Sequence, residues 1–495
     1  MGMPNIPFIM LDDESPHVPL YRQLYEAVRR SVLSGEFEPR MRLPATRQLA
    51  KQLGVSRMTV VNAYEQLLAE GYVEGRIGAG TYVASTLPEA MLRVEQQSPA
   101  TSIGSAKPGN HFLSRRGEWL ASTSVLTLRV QADGYNYAFQ NGMPAVDEFP
   151  FKVWSRLASR RLRNPPRELL GYGDPAGYLP LREGIAAHLK SARGVRCDVD
   201  QVIVVAGSQQ ALDLTARVLL DPGDVAWAED PCYPGAHNAL LSAGAKVVPV
   251  PIDQEGFDLT SAMGQSKRAR LAYVTPSHQF PLGVTMSLAR RLSLLEWAKR
   301  ADAFIVEDDY NSEFRYSGRP LSSLQGLDND GRVIYVGTFS KTIFPSLRLG
   351  CIVVPKDLVK VFIAARALLD RHSPSLDQAI LADFINEGHF ARHIRRMRSL
   401  YEERQEILVA AAKRELKGLL EVKSAEAGMH LVGWLPEKLS DKTASEKAAL
   451  YGVEAVPLSA YSSHHLPRGG LVLGYTALNT RQIRDGVRRL AQALA

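Results

Sequence analysis

The chain has 495 residues, 45% hydrophobic and 22% charged, with 59 Lys and Arg against 52 Asp and Glu. At roughly 150 residues per domain this predicts about three soluble globular domains, and it excludes a disordered chain, a collagen-like repeat and a small disulfide scaffold. The formal charge of +7 is mild for this length and permits nucleic-acid contact without demanding it.

Cys197, Cys232 and Cys351 are far apart and form no CxxC pair, which argues against a zinc ribbon and for a reducing compartment. The N-terminal stretch lacks the basic start and apolar core of a signal peptide, and no apolar run reaches the roughly 18 residues of a membrane span. A cytoplasmic, multidomain protein without a membrane partner is expected. No internal repeat is visible.

Taken in chain order, residues 18–34 predict an amphipathic helix with Leu20, Leu24, Ala27, Val28 and Val32 on one side and Gly35 as its stop. Thr46 is expected to cap a helix through Leu53. Gly54 and Val55 then make a tight turn, and Ser56 caps a second helix running to Glu70. Val60, Tyr64, Leu67 and Leu68 repeat at helical spacing and define its buried stripe, with Ser56, Arg57, Thr59 and Asn62 towards the other side. Two helices joined by a short Gly-containing turn make a helix-turn-helix, whose second helix can enter the major groove. Short strands at Tyr72–Glu74 and Thr81–Ala84, around the glycines 75, 78 and 80, complete a wing. The plain alternative is a small helical bundle with a polar face. Charge argues against it: residues 20–61 carry eight Lys and Arg against three Asp and Glu, whereas residues 1–85 carry nine of each.

Residues 14–85 form the first predicted domain. Residues 86–133, rich in Ser, Pro and Gly, read as a linker with one possible short helix around Glu89–Gln96. Beyond it, strands alternate with helices, which implies a mostly parallel sheet with ligands at the strand C-termini. Residues 202–207 are an apolar strand, and Ser208-Gln209 opens the next helix, a ready phosphate site. Residues 224–230 read as a strand, 271–283 as a strand ending in a Pro-rich loop, and 303–314 as a further strand. The last of these carries three acids at its end. Residues 333–355 read as strand, Ser-Lys turn and strand.

One constellation stands out. Lys341, at a strand end, could form a Schiff base with a carbonyl cofactor if its charged form were disfavoured. Asp308 could hold a pyridinium nitrogen protonated, and Tyr310, on the same strand face, could bond a ring hydroxyl. Arg348, Ser340 and the amides of Ser208 and Gln209 could bind a phosphate, and Tyr233 could stack on a flat ring. Singly, each has a plainer reading: an exposed lysine, a solvated acidic strand end, tyrosines at the edge of a core.

The stretch from Leu43 to Val83 resembles the winged helix-turn-helix of GntR-type regulators. That resemblance implies DNA contacts from Arg47, Ser56, Arg57 and Thr59, and from Arg76, Ile77 and Gly78 in the wing. From about Ala138 onward, the pieces FQNGMPAVDEFP, YGDPAGYLPLR, AGSQQALDL, EDPCYPG, TPSHQFPLG, EDDYNSEF and TFSKTIFPSLRLG resemble the α/β fold-type I pyridoxal-phosphate aminotransferases. By that resemblance Lys341 carries the cofactor, Asp308 holds the pyridine nitrogen, Tyr310 the phenolic oxygen and Tyr233 the ring face. Ser208, Gln209, Ser340 and Arg348 hold the phosphate, and Tyr172 reaches the phosphate of a neighbouring subunit. The loop PSHQFPLG departs from the usual NPTG form, so His278 or Gln279 is expected in place of the asparagine.

Both halves joined by a linker resemble the MocR-type branch of GntR regulators. This implies a homodimer, head-to-tail and domain-swapped, that binds a double-stranded DNA operator and senses an amine, an amino acid or pyridoxal phosphate itself. Residues 134–360 would be the cofactor-binding large domain and 361–495 the small domain. The rival function is a working aminotransferase with an accessory DNA-binding domain. It requires a substrate-carboxylate anchor, and the arginine expected at Val472 is absent; Arg468, on the turn before that strand, is the remaining candidate.

Overall fold

The computed structural model describes residues 18–76, 80–87, 113–122, 138–318, 322–437 and 439–495. The chain divides into two compact units, residues 1–111 and 112–495. Among the described residues no helix is long and apolar enough to cross a membrane.

The first unit contains α1 (Leu20–Leu33), α2 (Thr46–Leu53) and α3 (Arg57–Ala69), followed by β1 (Val73–Arg76) and β2 (Gly80–Val83). Leu24, Val28 and Val32 of α1 close on Leu49 of α2 and on Val60, Ala63, Tyr64 and Leu67 of α3. Helical periodicity brings these side chains together, and their burial is what fixes the three helices. Two expected members of the stripes are not buried. Leu20 begins α1 and is 44% exposed, and Leu68 is 49% exposed because Ala63 and Leu67 turn the inner face of α3 away from it.

The caps also differ from expectation in one place. Thr46 is already helical, and Ala45 precedes α2 without a side-chain cap. Gly54 closes α2 at φ 67°, the left-handed region where glycine avoids a Cβ penalty. Ser56 caps α3 as expected, its Oγ accepting from the Thr59 amide at 3.1 Å. β1 and β2 pair antiparallel, and residues 40–43 add a third edge to the wing: Leu43 N–H bonds Thr81 O, and Val83 N–H bonds Met41 O, both at 2.9 Å. The wing residues Ile77 and Gly78, and the possible helix at Glu89–Gln96, lie outside the described residues. A helix at Arg115–Ser122 falls inside the stretch expected to be linker.

The second unit is built on an eight-stranded sheet. Its strands are β3 (Val202–Val205), β4 (Val225–Asp230), β5 (Lys246–Asp253), β6 (Gly256–Phe257), β7 (Ala269–Val274), β8 (Phe304–Asp309), β9 (Val333–Thr338) and β10 (Gly350–Val353), in the order β3-β10-β9-β8-β7-β4-β5-β6. β5, β4, β7, β8 and β9 are parallel neighbours; β10 runs antiparallel to both β3 and β9, and β6 antiparallel to β5. The central strands are mostly apolar because both faces are covered, with acids gathered at the C-terminal ends of β4 and β8. Val202 and Val204 pack with Leu181 and Ile185 on one side, and Ile203 and Val205 with Leu212 and Leu240 on the other.

A second, antiparallel sheet is made of β11 (Glu421–Val422), β12 (His430–Trp434), β13 (Val456–Pro457) and β14 (Gly470–Gly474), ordered β11-β12-β14-β13. Leu431, Leu471 and Leu473 pack with Leu408 of the long helix His389–Glu415 and with Ile483 and Val487 of the C-terminal helix.

The cap on α3 is testable. Ser56→Ala leaves the Thr59 amide without its acceptor and is expected to lower the stability of the first unit by about 1 kcal/mol, whereas Ser56→Asp retains most of it. Urea unfolding followed on the helical signal of that unit checks this.

Candidate functional site

In the first unit, the expected DNA contacts that fall on described residues lie at or near the surface. Arg47 on α2, Ser56 and Arg57 at the start of α3, and Arg76 at the end of β1 are exposed, while Thr59 is half-buried. Thr59 Oγ1 lies 2.8 Å from Ser56 Oγ, so both hydroxyls are engaged in the cap. The Arg76 guanidinium rests 4.8 Å above the Tyr82 ring, which steadies it in the wing. Arg42, which the sequence reading did not single out, joins this group. It pairs with Tyr82 across a β-bridge, and its guanidinium lies so close to Gly80 that a Cβ there would stand 3.2 Å from Nε. The run Arg40-Met41-Arg42-Leu43 alternates polar and apolar residues, with Arg42 exposed and Leu43 buried, and that alternation is the sequence signal for this third edge of the wing.

In the second unit, the three acids ending β8 are all buried, and strand alternation sends them to opposite faces. Glu307 accepts from the Leu324 and Gln325 amides, both at 2.8 Å. Asp309 pairs with Arg193 at 2.7 Å and accepts from the Tyr335 hydroxyl at 2.8 Å. Asp308 faces the other way. Its Oδ2 accepts from the Tyr273 hydroxyl at 2.9 Å, and its Oδ1 is buried with no hydrogen-bond partner among the described residues. Burial pushes this carboxyl up to about 7, against the opposing effects of Tyr273 and Lys341.

Lys341 follows the end of β9. Its Nζ donates to the Gly142 carbonyl at 2.8 Å, and a Cβ at Gly142 would lie 2.6 Å from that nitrogen. Burial lowers its amine to about 8, with Asp308 acting in the opposite sense. The amine is therefore closer to its nucleophilic form near neutrality than an ordinary lysine.

Tyr310 and His278 are joined, His278 Nδ1 to Tyr310 hydroxyl at 2.9 Å. Burial lowers the imidazole to about 3, so it stays neutral. Gln279, offered as an alternative to His278, is not available to a ring. Its amide donates to Glu229 at 3.2 Å, to the Pro231 carbonyl at 2.8 Å and to the Phe280 carbonyl at 2.7 Å, and it accepts from the Leu282 amide at 3.1 Å. Gln279 folds the loop. Tyr233 precedes the helix Pro234–Ser242, with its ring 6.0 Å from Phe280 and its hydroxyl 3.5 Å from Gln209.

The phosphate corner is a close approach of backbone. Gly207, at φ 90°, precedes the helix Ser208–Leu219. Arg348 donates to the Ala206 carbonyl at 2.8 Å, and a Cβ on Gly207 would sit 3.4 Å from its guanidinium. Ser208 and Gln209 open the helix there, and Ser340 stands beside Lys341, its amide on Thr338 Oγ1 at 3.2 Å. A helix N-terminus with an exposed arginine is a site for a dianion. Tyr172 lies at the surface instead, 84% exposed with the Arg371 guanidinium 4.7 Å over its ring.

Arg468 is a correction. It donates to the Leu435 carbonyl at 2.7 Å and pairs with Glu421 at 3.1 Å. Both partners lie where Trp434 meets Gly470, the opposite end of the β12–β14 ladder from His430 and Gly474. The turn aims it away from Lys341, so it is no substrate anchor. Tyr273 and Gly142 belong to the site without having been expected there. Parallel register places Tyr273 beside Val306, two residues before Asp308, and Gly142 belongs to a distant loop; neither contact has a local sequence signal.

A pyridoxal phosphate fits these residues. The orphaned Asp308 oxygen matches a pyridinium N–H, Lys341 matches an aldehyde, and the Gly207 corner matches a phosphate.

Residues 141–490 match the family Aminotransferase class I and II, and residues 20–83 match the bacterial regulatory proteins of the gntR family. The probable rhizopine catabolism regulatory protein MocR of Rhizobium meliloti is 45% identical over 97% of this chain and 95% of its own. The pyridoxine biosynthesis regulator PdxR of Corynebacterium glutamicum is 30% identical over 97% of this chain and 98% of its own. Among solved structures, the α-aminoadipate aminotransferase LysN of Thermus thermophilus has a TM-score of 0.67 at 32% identity, covering 72% of this chain and 92% of that one. A gntR helix-turn-helix followed by an aminotransferase domain, matched end to end by regulators of the same build, places the chain in the MocR-type branch of the GntR transcription regulators.

Proposed function

We propose that this regulator holds pyridoxal phosphate on Lys341 and that an amine, an amino acid or the cofactor itself, bound there, sets its affinity for a double-stranded DNA operator. The observation that carries this reading is the buried, unpartnered Oδ1 of Asp308, in the same site as the lowered amine of Lys341. A buried acceptor left without a partner is costly, and sites that keep one usually hold a ligand in use. Bound pyridoxal phosphate supplies an electrophilic carbon to which an amine can attach. The chain's residues do the rest: Asp308 keeps the ring nitrogen protonated, His278 orients the Tyr310 hydroxyl, Tyr233 covers the ring, and Arg348 with the Ser208–Gln209 helix end holds the phosphate.

LysN has been solved with phosphopyridoxyl-leucine bound, and PdxR is named for pyridoxine biosynthesis; both are consistent with a cofactor-dependent sensor. The exposed ring of Tyr172 supports a head-to-tail homodimer in which it meets the neighbouring phosphate. A winged helix acting on DNA implies work in the cytoplasm. Turnover as an aminotransferase is the weaker reading. Transamination must hold the substrate carboxylate so that its Cα proton faces the lysine, and misplacing that anchor costs rate steeply. Arg468 does not reach, and Val472 carries no charge.

Two outcomes follow from the cofactor site. The purified protein is expected to be yellow with pyridoxal phosphate, and Lys341→Ala to lose the covalent linkage, read by absorbance and borohydride trapping. Asp308 also makes the cofactor-free protein pH-sensitive. A carboxyl raised from its ordinary value to about 7 in the folded state contributes stability below its unfolded pKa and loses it as pH rises through the folded one. Wild-type protein without cofactor should therefore lose stability relative to Asp308→Asn between about pH 4 and about pH 7. Denaturant titrations of the pair at several pH values read this directly, and a constant difference would remove the buried-carboxylate account.

On the DNA side, Arg57 begins α3 and is exposed, where a guanidinium can bond a base edge in the major groove. Arg57→Ala is expected to weaken specific binding by about 1–3 kcal/mol, with the salt dependence kept by the remaining phosphate contacts. Affinity measured on a mapped operator and on scrambled DNA at two salt concentrations separates the two effects.

A further inference from the structure

We infer that the amine this site takes carries no carboxylate or other acidic group: its remainder is hydroxylated or apolar. The inference rests on the cofactor reading above and concerns the wall that an amine on Lys341's side must meet.

That wall is one face of the small sheet. The β12–β14 register sets His430 opposite Gly474, Val432 opposite Val472 and Trp434 opposite Gly470, and Val456 of β13 also faces Val472. Strand alternation puts these residues on one side, while Leu431, Leu471 and Leu473 turn into the core behind. The face adjoins Lys341 through residues 140–142. A Cβ on Gly474 would fall 2.2 Å from the Gln140 carbonyl oxygen and 2.8 Å from Asn141 Cα, one residue from the Gly142 carbonyl that holds Nζ.

The wall is apolar at its centre. Val472 is fully buried with Leu458 and Tyr461, against Val432, Val456, Phe280 and Leu282. Phe280 ties this cluster to the ring site, with its centroid 5.1 Å from Tyr461, 5.6 Å from His430 and 6.0 Å from both Tyr310 and Tyr233. The polar groups that border it are neutral. His430 is lowered to about 4 by burial, with its Nε2 on the Pro281 carbonyl at 2.9 Å, and His278 is lowered to about 3. Asn141 and the Tyr461 hydroxyl, which lie within hydrogen-bonding reach of each other, are also uncharged.

The nearby cations are committed elsewhere. Among the described residues, Arg348 lies at the phosphate corner, Arg315 is paired with Glu426 through Nη2 although its buried Nε has no partner, and Arg468 is paired with Glu421 at the far end of the ladder. A carboxylate buried against Val472, Phe280 and Tyr461 would meet no cation among the described members of that cluster, and burying an unpaired charge is far more costly than burying a hydroxyl that finds a neutral partner. The wall therefore selects by exclusion as much as by attraction.

The test uses the full-length protein loaded with pyridoxal phosphate and two amines of one skeleton: alanine, and alaninol, in which a CH2OH group replaces the carboxylate. Each is titrated while the visible absorbance band is followed, and DNA affinity is measured at saturation. Alaninol is expected to bind at least about tenfold more tightly than alanine, which corresponds to about 1.4 kcal/mol. Equal or tighter binding of alanine overturns the inference, as does a band that neither amine moves. A band that follows alaninol while DNA affinity ignores both compounds leaves the inference standing and removes the sensor reading instead.

Discussion

The arrangement of the second unit depends on the buried carboxylates that end β8, two of which keep an unpartnered oxygen among the described residues. Asp308 accepts from the Tyr273 hydroxyl on one oxygen, and its other oxygen is buried with no partner among the described residues. Its neighbours on the strand make the contrast. Glu307 takes two backbone amides, and Asp309 takes an arginine and a tyrosine on Oδ2 while its buried Oδ1 has no partner among the described residues, so a network ties the opposite face of β8 to the chain through three of its four carboxylate oxygens. That network fixes the strand, and the fixed strand aims Asp308. A positively charged ring nitrogen would complete the set, because a cation beside the carboxylate favours its ionised form where burial disfavours it. Lys341 and the Gly207 corner then set how far such a ring can extend, one by its amine and the other by its anion site.

The first unit solves a different problem with simpler means. Its core is made of few large side chains, and its exposed arginines are placed by caps and a wing rather than by burial. Gly54 turns the chain between α2 and α3 so that Arg57 begins a helix at the surface, and the Ser56 cap holds that start. Local positive charge in a chain of modest net charge suits a DNA-reading unit: it favours phosphate without making the whole molecule a non-specific binder.

How much of this was legible in the sequence follows from the range of each interaction. The helix-turn-helix is local: its caps, turn and stripe fall within about forty residues, and only the cap at Thr46 and the placing of Leu20 and Leu68 came out differently. Four of the five parallel strands were legible as apolar runs; β5, interrupted by Pro249 and Pro251, was not. The members of the cofactor site could be named because each sits at a strand end or a helix start. What the sequence hid was contact between distant segments. The carbonyl under Lys341 comes from Gly142, 199 residues away. The hydroxyl on Asp308 comes from an adjacent strand, and the loop partners of Gln279 come from a turn beginning at Glu229. Gln279 and His278 are neighbours in the chain with opposite fates, one folded into its own loop and one facing Tyr310, and no local pattern distinguishes them. Arg468 misled for a related reason: the ladder register, which no sequence pattern shows, puts it at the wrong end of the strand.

On the proposed reading, the register also accounts for a site that keeps a cofactor's fittings without a substrate-carboxylate anchor at Val472. Holding a ring needs a nitrogen partner, a stacking face and a phosphate corner, and all three lie on the large sheet and its loops. Turning over amino acids needs in addition a fixed charge on the far wall, because catalysis rests on contacts that orient the reacting bond and not on tight binding alone. That wall belongs to the small sheet, where Val472 stands in a packed apolar cluster. The two requirements are therefore carried by separate layers of the fold, and the second can be lost while the first remains. Occupancy is sufficient for a regulator. An amine that binds and is not consumed reports its own concentration, and a ligand shifts an equilibrium only by its difference in affinity for the two states, not by its chemistry.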